Sequence, residues 1–345
     1  MSNLWWKYQK KWLFKTPAKT VPLFRMWSFL YLQPKKKVNF KSFLSFRSFI
    51  CGHQNKEGLK MVTRLSRTTL WRRFTPFFNY LVSPLEVNSL LPLKENQGKW
   101  VLGLDGKWLH RSGAVMIYRD ITHGVNLYWS FQKSESLENL SEDFYQLSLL
   151  IKTNPPYGIV SDWKKAITTL IAISFPKLSH QRCLAHVQRE LKRFLPSGSP
   201  LVFTLALRKI SEELMEINDP TNYYLWDQKL QSWFNDYGYL LKEKTIGKNT
   251  KKKWWYTHGN LRRAVRLLTE EEGFFAYLHY PFLPKTNNSL EGVNSQLKGK
   301  LNSHRGMKTK QQMVFCFWSL VFSRIKTEED LKKLWVSLKK RIFTV

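Results

Sequence analysis

The sequence predicts an α/β chain: a mixed sheet with a helical insertion, preceded by a basic α-helical region. Three observations predict it. Short apolar, β-prone runs are concentrated between residues 99 and 183, where they alternate with helical patterns. Residues 188–285 read as mostly helical. The first 82 residues mix cations, aromatics and short helical patterns, and a stretch with two prolines and a glycine follows them. The chain has 345 residues, 43% of them hydrophobic and 15% aromatic. That is material for two or three domains with real cores, and it excludes a disordered protein.

Residues 1–50 carry "LWWKYQKKWLFK" and "PKKKVNFKSFLSFRSF". Aromatics set between cations suit stacking on bases while the cations hold phosphates, and equally suit a small packed subdomain with a basic face. In residues 52–74 two short helical patterns flank a break near Leu65–Ser66. Ser66 is a good N-cap for the second, "RTTLWRRF". Ser66, Thr68 and Thr69 are placed to reach phosphates or base edges, and Arg67, Arg72 and Arg73 supply charge. The pattern resembles a helix-turn-helix over about residues 54–80, the alternative being an ordinary amphipathic pair. "SPLEVNSLLPLKENQGK" reads as a linker, so residues 1–82 form one region and 83–98 the connection.

"KWVLGLDGKWL", "AVMIYRDITHG" and "VNLYWSFQ" predict three strands separated by turn residues. A helix over 136–152, a strand in "PYGIVSDW", a helix in "KKAITTLIAISF" and a strand running into a helix in "SHQRCLAHV" follow. Three antiparallel strands, then helix, strand, helix, strand, match the order of the ribonuclease H-like fold. It would occupy 99–187 and 286–315, with the helical insertion at 188–285 and a helical tail at 316–345.

Charge points to the partner. Lys and Arg number 56 against 25 acids, a net +31, and over residues 1–99 they outnumber acids 19 to 3. Such a field attracts polyanions, nucleic acid first and acidic membranes second. Cys51, Cys183 and Cys316 are odd in number and far apart, which argues against a disulfide framework and fits a reducing compartment. "VPLFRMWSFLYL" is too short to span a bilayer and is interrupted by Arg25, so neither a signal peptide nor a membrane helix is expected.

Against this background three acids stand out. Asp105 ends one apolar strand and Asp162 ends another, 57 residues on. A carboxylate at such a place needs water, a cation or a hydrogen bond, and two on neighbouring strands repel unless a divalent cation lies between them. Asp162 is also placed to cap the following helix. Glu291, in the acid-poor "PKTNNSLEGVNSQLK", shares a helix face with Ser295 and Lys298. Three carboxylates are hard-oxygen ligands suited to a two-ion Mg²⁺ site, in which Mn²⁺ is expected to substitute. Asp120 is expected to face its turn instead.

"LGLDGKWL", "GIVSDWKKAI", "HQRCLAHVQREL" and "PKTNNSLEGVNSQLK" together resemble the catalytic blocks of DDE transposases of bacterial insertion sequences, on the Mutator-like side. The resemblance covers about residues 99–315. It implies Asp105, Asp162 and Glu291 as the catalytic and metal-binding triad. It also implies a Cys-x-x-His pair after the second aspartate, here Cys183 and His186. A structural zinc site needs four ligands, and neither other cysteine lies in such a pair. Zinc is therefore not expected, and the pair reads as structural or DNA-positioning. Lys107, Lys298 and Arg305, with Trp108 and Trp163 behind them, are candidates for substrate contact. The expected function is Mg²⁺-dependent cleavage and strand transfer at the terminal repeats of the element. The expected partner is double-stranded DNA, bound by a homodimer or larger assembly in the bacterial cytoplasm, at the nucleoid. The rivals are a catalytically inactive, transposase-derived DNA-binding protein, a ribonuclease H-fold nuclease that cuts without joining, and a basic RNA-associated structural protein.

Overall fold

A computed structural model of the chain describes residues 39–52, 56–93, 98–247, 254–270, 273–304 and 306–343. The most aromatic and cationic part of the N-terminal region, residues 1–38, lies outside the described residues, as does Arg305. Residues 39–345 belong to one unit.

The described chain opens with four helices: α1 (Phe40–Cys51), α2 (Lys56–Thr63), α3 (Arg67–Phe78) and α4 (Pro84–Leu90). Ser66 caps α3, its hydroxyl accepting from the Thr69 N–H at 3.1 Å. The predicted linker is partly helical: Ser83 accepts from the Glu86 N–H at 3.1 Å, and Pro84 sits in the first turn of α4. A Ser-Pro start signal outweighs the loop composition there. Phe43, Phe46 and Phe49 of α1 are wholly buried, so these aromatics build core and are not free for bases.

Five strands form one mixed sheet: β1 (Val101–Trp108), β2 (Ala114–Asp120), β3 (Val125–Gln132), β4 (Gly158–Ser161) and β5 (Ser179–Arg182). The order is β3-β2-β1-β4-β5. The first three pair antiparallel, and β4 and β5 run parallel to β1. Helix α5 (Leu137–Leu150) connects β3 to β4, and α6 (Lys165–Ser174) connects β4 to β5.

Alternation along β1 sorts its side chains between two cores. Leu102 and Leu104 pack with Met116, Tyr118, Phe144 and Ile171. Val101 joins Val160 in the core shared with the insertion. Asp105 follows Val101 and Gly103 at the strand period, so it belongs to the insertion face. With both faces covered, the strands read as nearly continuous apolar runs.

The insertion comprises α7 (Leu184–Phe194), α8 (Val202–Glu212), α9 (Pro220–Tyr237), the short strands β6 (Lys244–Ile246) and β7 (Trp254–Tyr256), α10 (Gly259–Thr269) and α11 (Ala276–His279). The stretch read from sequence as mostly helical thus also carries a small antiparallel pair, β6 and β7. Then come α12 (Asn288–Asn302), α13 (Thr309–Ser323) and α14 (Glu328–Phe343). The divisions placed at 187/188 and 315/316 both fall inside helices, α7 and α13. Helix α13 is buried on several sides, and its Trp318 Nε1–H donates to the Phe77 carbonyl of α3 at 2.9 Å. Helix α13 thus continues the body of the fold and is not the start of a separate tail. Among the described residues no helix is long and apolar enough to cross a membrane.

One buried carboxylate has a structural role and a testable pH signature. Asp143 of α5 accepts from the Tyr118 hydroxyl at 3.0 Å, the Gln132 amide at 3.0 Å and the Ser130 hydroxyl. Burial outweighs these bonds and pushes its pKa up to about 6. The folded state therefore holds this proton where the unfolded chain has lost it. The contribution is fully present below the ordinary value near 4 and is lost as pH rises through about 6. Chemical denaturation of wild type should show this downward trend, and Asp143→Asn should flatten it by roughly 2–3 kcal/mol across that range. An unchanged slope would mean that Asp143 is not the group responsible.

Candidate active site

Asp105 does not end its strand as the sequence suggests: β1 continues to Trp108, and Asp105, 8% exposed, stands near its middle, where the apolar run stops but the pairing with β2 does not. Its Oδ1 accepts from the Gly106 N–H at 2.8 Å, and its Oδ2 from the Asn294 side-chain amide at 2.8 Å. Burial holds its pKa above the ordinary carboxylate range. The Asp162 charge adds to that, while His186 opposes it. The two aspartates are therefore within electrostatic reach of each other, as adjacent parallel strands should bring them.

Asp162 directly follows β4. It does not cap α6, whose N-cap is Lys164. Between them Trp163 takes the left-handed conformation, φ +61°. An aromatic residue there costs on the order of 1–3 kcal/mol and has to be held by its surroundings. Its ring stacks on His180 at 4.5 Å and lies against Gly273, where any Cβ would collide with the indole. Gly273, itself at φ +76°, belongs to the connection between α10 and α11. The insertion thus braces the turn that aims Asp162. The Asp162 side chain is 8% exposed, with Oδ2 3.0 Å from the Lys164 ammonium and Oδ1 buried without a hydrogen-bond partner. Lys164 also pairs with Glu135.

Glu291 lies in the first turn of α12, half-buried. Its Oε1 accepts from Arg189 at 3.0 Å and lies 3.8 Å from His186 Nδ1. His186 links the acids: Asp105 and Asp162 both help to raise its pKa against burial, after the first cause, the Cys183 thiol. Nδ1 itself makes no hydrogen bond of ordinary geometry, so the thiol acts as a near neighbour. Donor atoms of Cys183, His186 and Glu291 all lie within 4.8 Å of one another, and among the described residues no fourth acid, cysteine or histidine joins this group. The fully buried Cys183 also accepts from the Asn287 N–H at 3.3 Å.

The polar stretch around Glu291 turns out to be a set of docking pins. The Asn287 amide donates to the Leu104 carbonyl at 3.2 Å. Ser289 accepts from Arg119 Nε at 2.9 Å, and Asn294 donates to Asp105. A Cβ on Gly103 would collide with Asn287, so glycine in β1 admits the start of α12. These pins lock the helix bearing Glu291 onto the strand bearing Asp105.

Of the other predicted residues, Lys107 and Lys298 come together. Burial lowers the Lys107 pKa, and the charge of Lys298 lowers it further. Trp108 is 43% exposed at the end of β1. Ser66, Arg67, Thr68 and Arg72 lie on the exposed start of α3, with Thr69 and Arg73 half-buried. The Ser66 and Thr69 hydroxyls are already within 2.9 Å of each other. Asp120 accepts from the Thr122 and His123 N–H groups, the turn role expected of it.

Sequence reasoning missed Asn294 as a partner of Asp105, Arg189 as the partner of Glu291, and the Glu135–Lys164 pair. Asn294 carried a signal, being one turn beyond Glu291 on a helix already placed at the site. Arg189 and Glu135 carried none, because only the tertiary fold brings them in.

The buried carboxylates and the unpartnered Asp162 oxygen fit a hard divalent cation such as Mg²⁺. No family model matches the chain, and no curated protein matches it.

Proposed function

We propose that this chain is a DNA transposase with a ribonuclease H-like catalytic domain and a DDE triad of Asp105, Asp162 and Glu291. The observation that carries the proposal is that two of these acids lie within electrostatic reach of each other while the third sits on a helix docked against one of them. Two buried carboxylates from adjacent parallel strands repel one another, and α12 is pinned to one of them while it carries the third. The strand order β3-β2-β1-β4-β5 supports the ribonuclease H-like reading.

Asp105, Asp162 and Glu291 would hold Mg²⁺, which when bound neutralises charge on the phosphate during in-line phosphoryl transfer. Asn294 and the Gly106 N–H orient Asp105. Lys107 and Lys298 form a cationic pair beside it, suited to a DNA phosphate. His186 lies 3.8 Å from Glu291 and so sets α7 beside α12. Helices α2 and α3, joined by three residues, support a helix-turn-helix that offers Arg67, Thr68 and Arg72 to the element ends. Double-stranded DNA is then the partner, held by at least two copies of the chain in a bacterial cytoplasm.

The test uses purified protein, Mg²⁺ and end-labelled DNA carrying the sequences that flank its own gene. Wild type is expected to cut and to join the freed 3′ ends to target DNA. Glu291→Gln should bind the same DNA and do neither. Cutting without joining would make the protein a nuclease. Binding without reaction by wild type would leave a DNA-binding protein.

A further inference from the structure

The proposed triad leaves out an acid that the fold brings to Asp162. Glu135 precedes α5, and its side chain is only 6% exposed. One of its oxygens pairs with Lys164, whose ammonium also lies 3.0 Å from Asp162 Oδ2. The other, Oε1, is buried without a hydrogen-bond partner, as is Asp162 Oδ1. Glu135 Oε1 also lies against Gly106, the residue after Asp105, where a Cβ would collide with it. Glycine at 106 is what admits this carboxylate beside β1.

Two buried carboxylates, one directly after β4 and one just before α5, therefore share a single ammonium. One positive charge does not balance two negative ones, and one oxygen of each carboxylate remains without a donor. A buried carboxylate stays ionised only when it is paired or coordinated. Lys164 is 43% exposed on a flexible stem, so its head has a way out to solvent.

We propose that Glu135 is a fourth carboxylate ligand of the divalent-cation site and that Lys164 is its built-in competitor, occupying the Asp162–Glu135 pair until a cation displaces it. This rests on the reading of Asp105 and Asp162 as cation ligands. It adds a ligand outside the triad and a reason for the lysine two residues after Asp162. Metal binding becomes an exchange of one cation for another, so the acids are never left bare.

The experiment is a Mn²⁺ titration of DNA-free protein, with free Mn²⁺ read by electron paramagnetic resonance. It compares wild type, Glu135→Gln, Lys164→Gln, the double variant and Asp105→Asn. Thermal melting checks that each is folded. Lys164→Gln should bind Mn²⁺ about tenfold more tightly than wild type, because the competitor is gone. Glu135→Gln should bind about tenfold more weakly, and the same weakening should persist in the Lys164→Gln background. If Glu135→Gln has no effect once Lys164 is replaced, Glu135 acts only by holding the lysine and the ligand assignment fails. If Lys164→Gln does not tighten binding, the competitor assignment fails. If wild type and Asp105→Asn both bind no Mn²⁺, the cation site itself is wrong. Tight binding by wild type with no reaction on DNA would sink the transposase reading alone.

Discussion

Asp162→Asn is expected to abolish DNA cleavage and joining, with a loss of about a thousandfold or more and no loss of DNA binding. The size follows from the barrier. Removing one charged ligand forfeits several kcal/mol of transition-state stabilisation, and each 1.36 kcal/mol is tenfold in rate. Asparagine keeps the shape of the side chain, so the left-handed Trp163 turn and its packing on Gly273 should survive. The metal-free protein should melt at or near the wild-type temperature, because the change removes repulsion with Asp105 as well as the Lys164 pair. Gel-shift binding, product gels and a melting curve on one preparation check all three points. A variant that still cuts would remove Asp162 from the chemistry. A variant that no longer binds or melts early would make Asp162 a folding residue.

Much of this site was legible in the sequence because its parts obey local rules. An acid that ends an apolar run is anomalous wherever the strand packs, so Asp105 and Asp162 were visible without the fold. The strand and helix order followed from periodicity and turn residues between 99 and 183. What was not legible depends on long-range packing. Glu135 is an unremarkable acid in "SESLENL" until α5 is laid beside β1. Arg189 is an ordinary surface cation until α7 meets α12. The polar residues from Asn287 to Asn294 read as a slim, polar helix start, whereas three of them pin the helix to the sheet. The boundaries drawn at 187/188 and 315/316 miss the ends of elements for a related reason. Composition shifts sharply near residues 83–98, and that shift mimics a linker. The side chains across it nevertheless share contacts: Arg324, after α13, donates to Asn88 of α4 at 2.7 Å and to the Asn126 carbonyl of β3 at 3.0 Å.

That sharing leads to the largest stability effect expected here. Phe46→Ala should destabilise the protein by about 3–5 kcal/mol, the usual range for a fully buried aromatic. Phe46 is wholly buried, its ring stacked on Phe77 at 4.8 Å and edge-on to Trp318 at 5.3 Å and to Phe78 at 5.4 Å. These neighbours are rigid rings, so the cavity closes poorly and the loss falls toward the upper end. The decisive point is how the loss is distributed. Phe77 and Phe78 belong to α3, but Trp318 belongs to α13, which packs on β3 as well as on α1. If α1–α3 were an independent DNA-binding domain, the variant would melt those helices at low denaturant and leave the sheet folded. Because the ring cluster spans α1, α3 and α13, unfolding should instead stay a single transition moved to lower denaturant. Helical circular dichroism and protease cleavage within the sheet should report the same midpoint. Two separated midpoints would restore the division that the composition suggests. One midpoint would mean that the helices proposed to read DNA and the acids of the site are held by one core. Damage at a phenylalanine remote in sequence from Asp105 would then cost DNA binding and chemistry together.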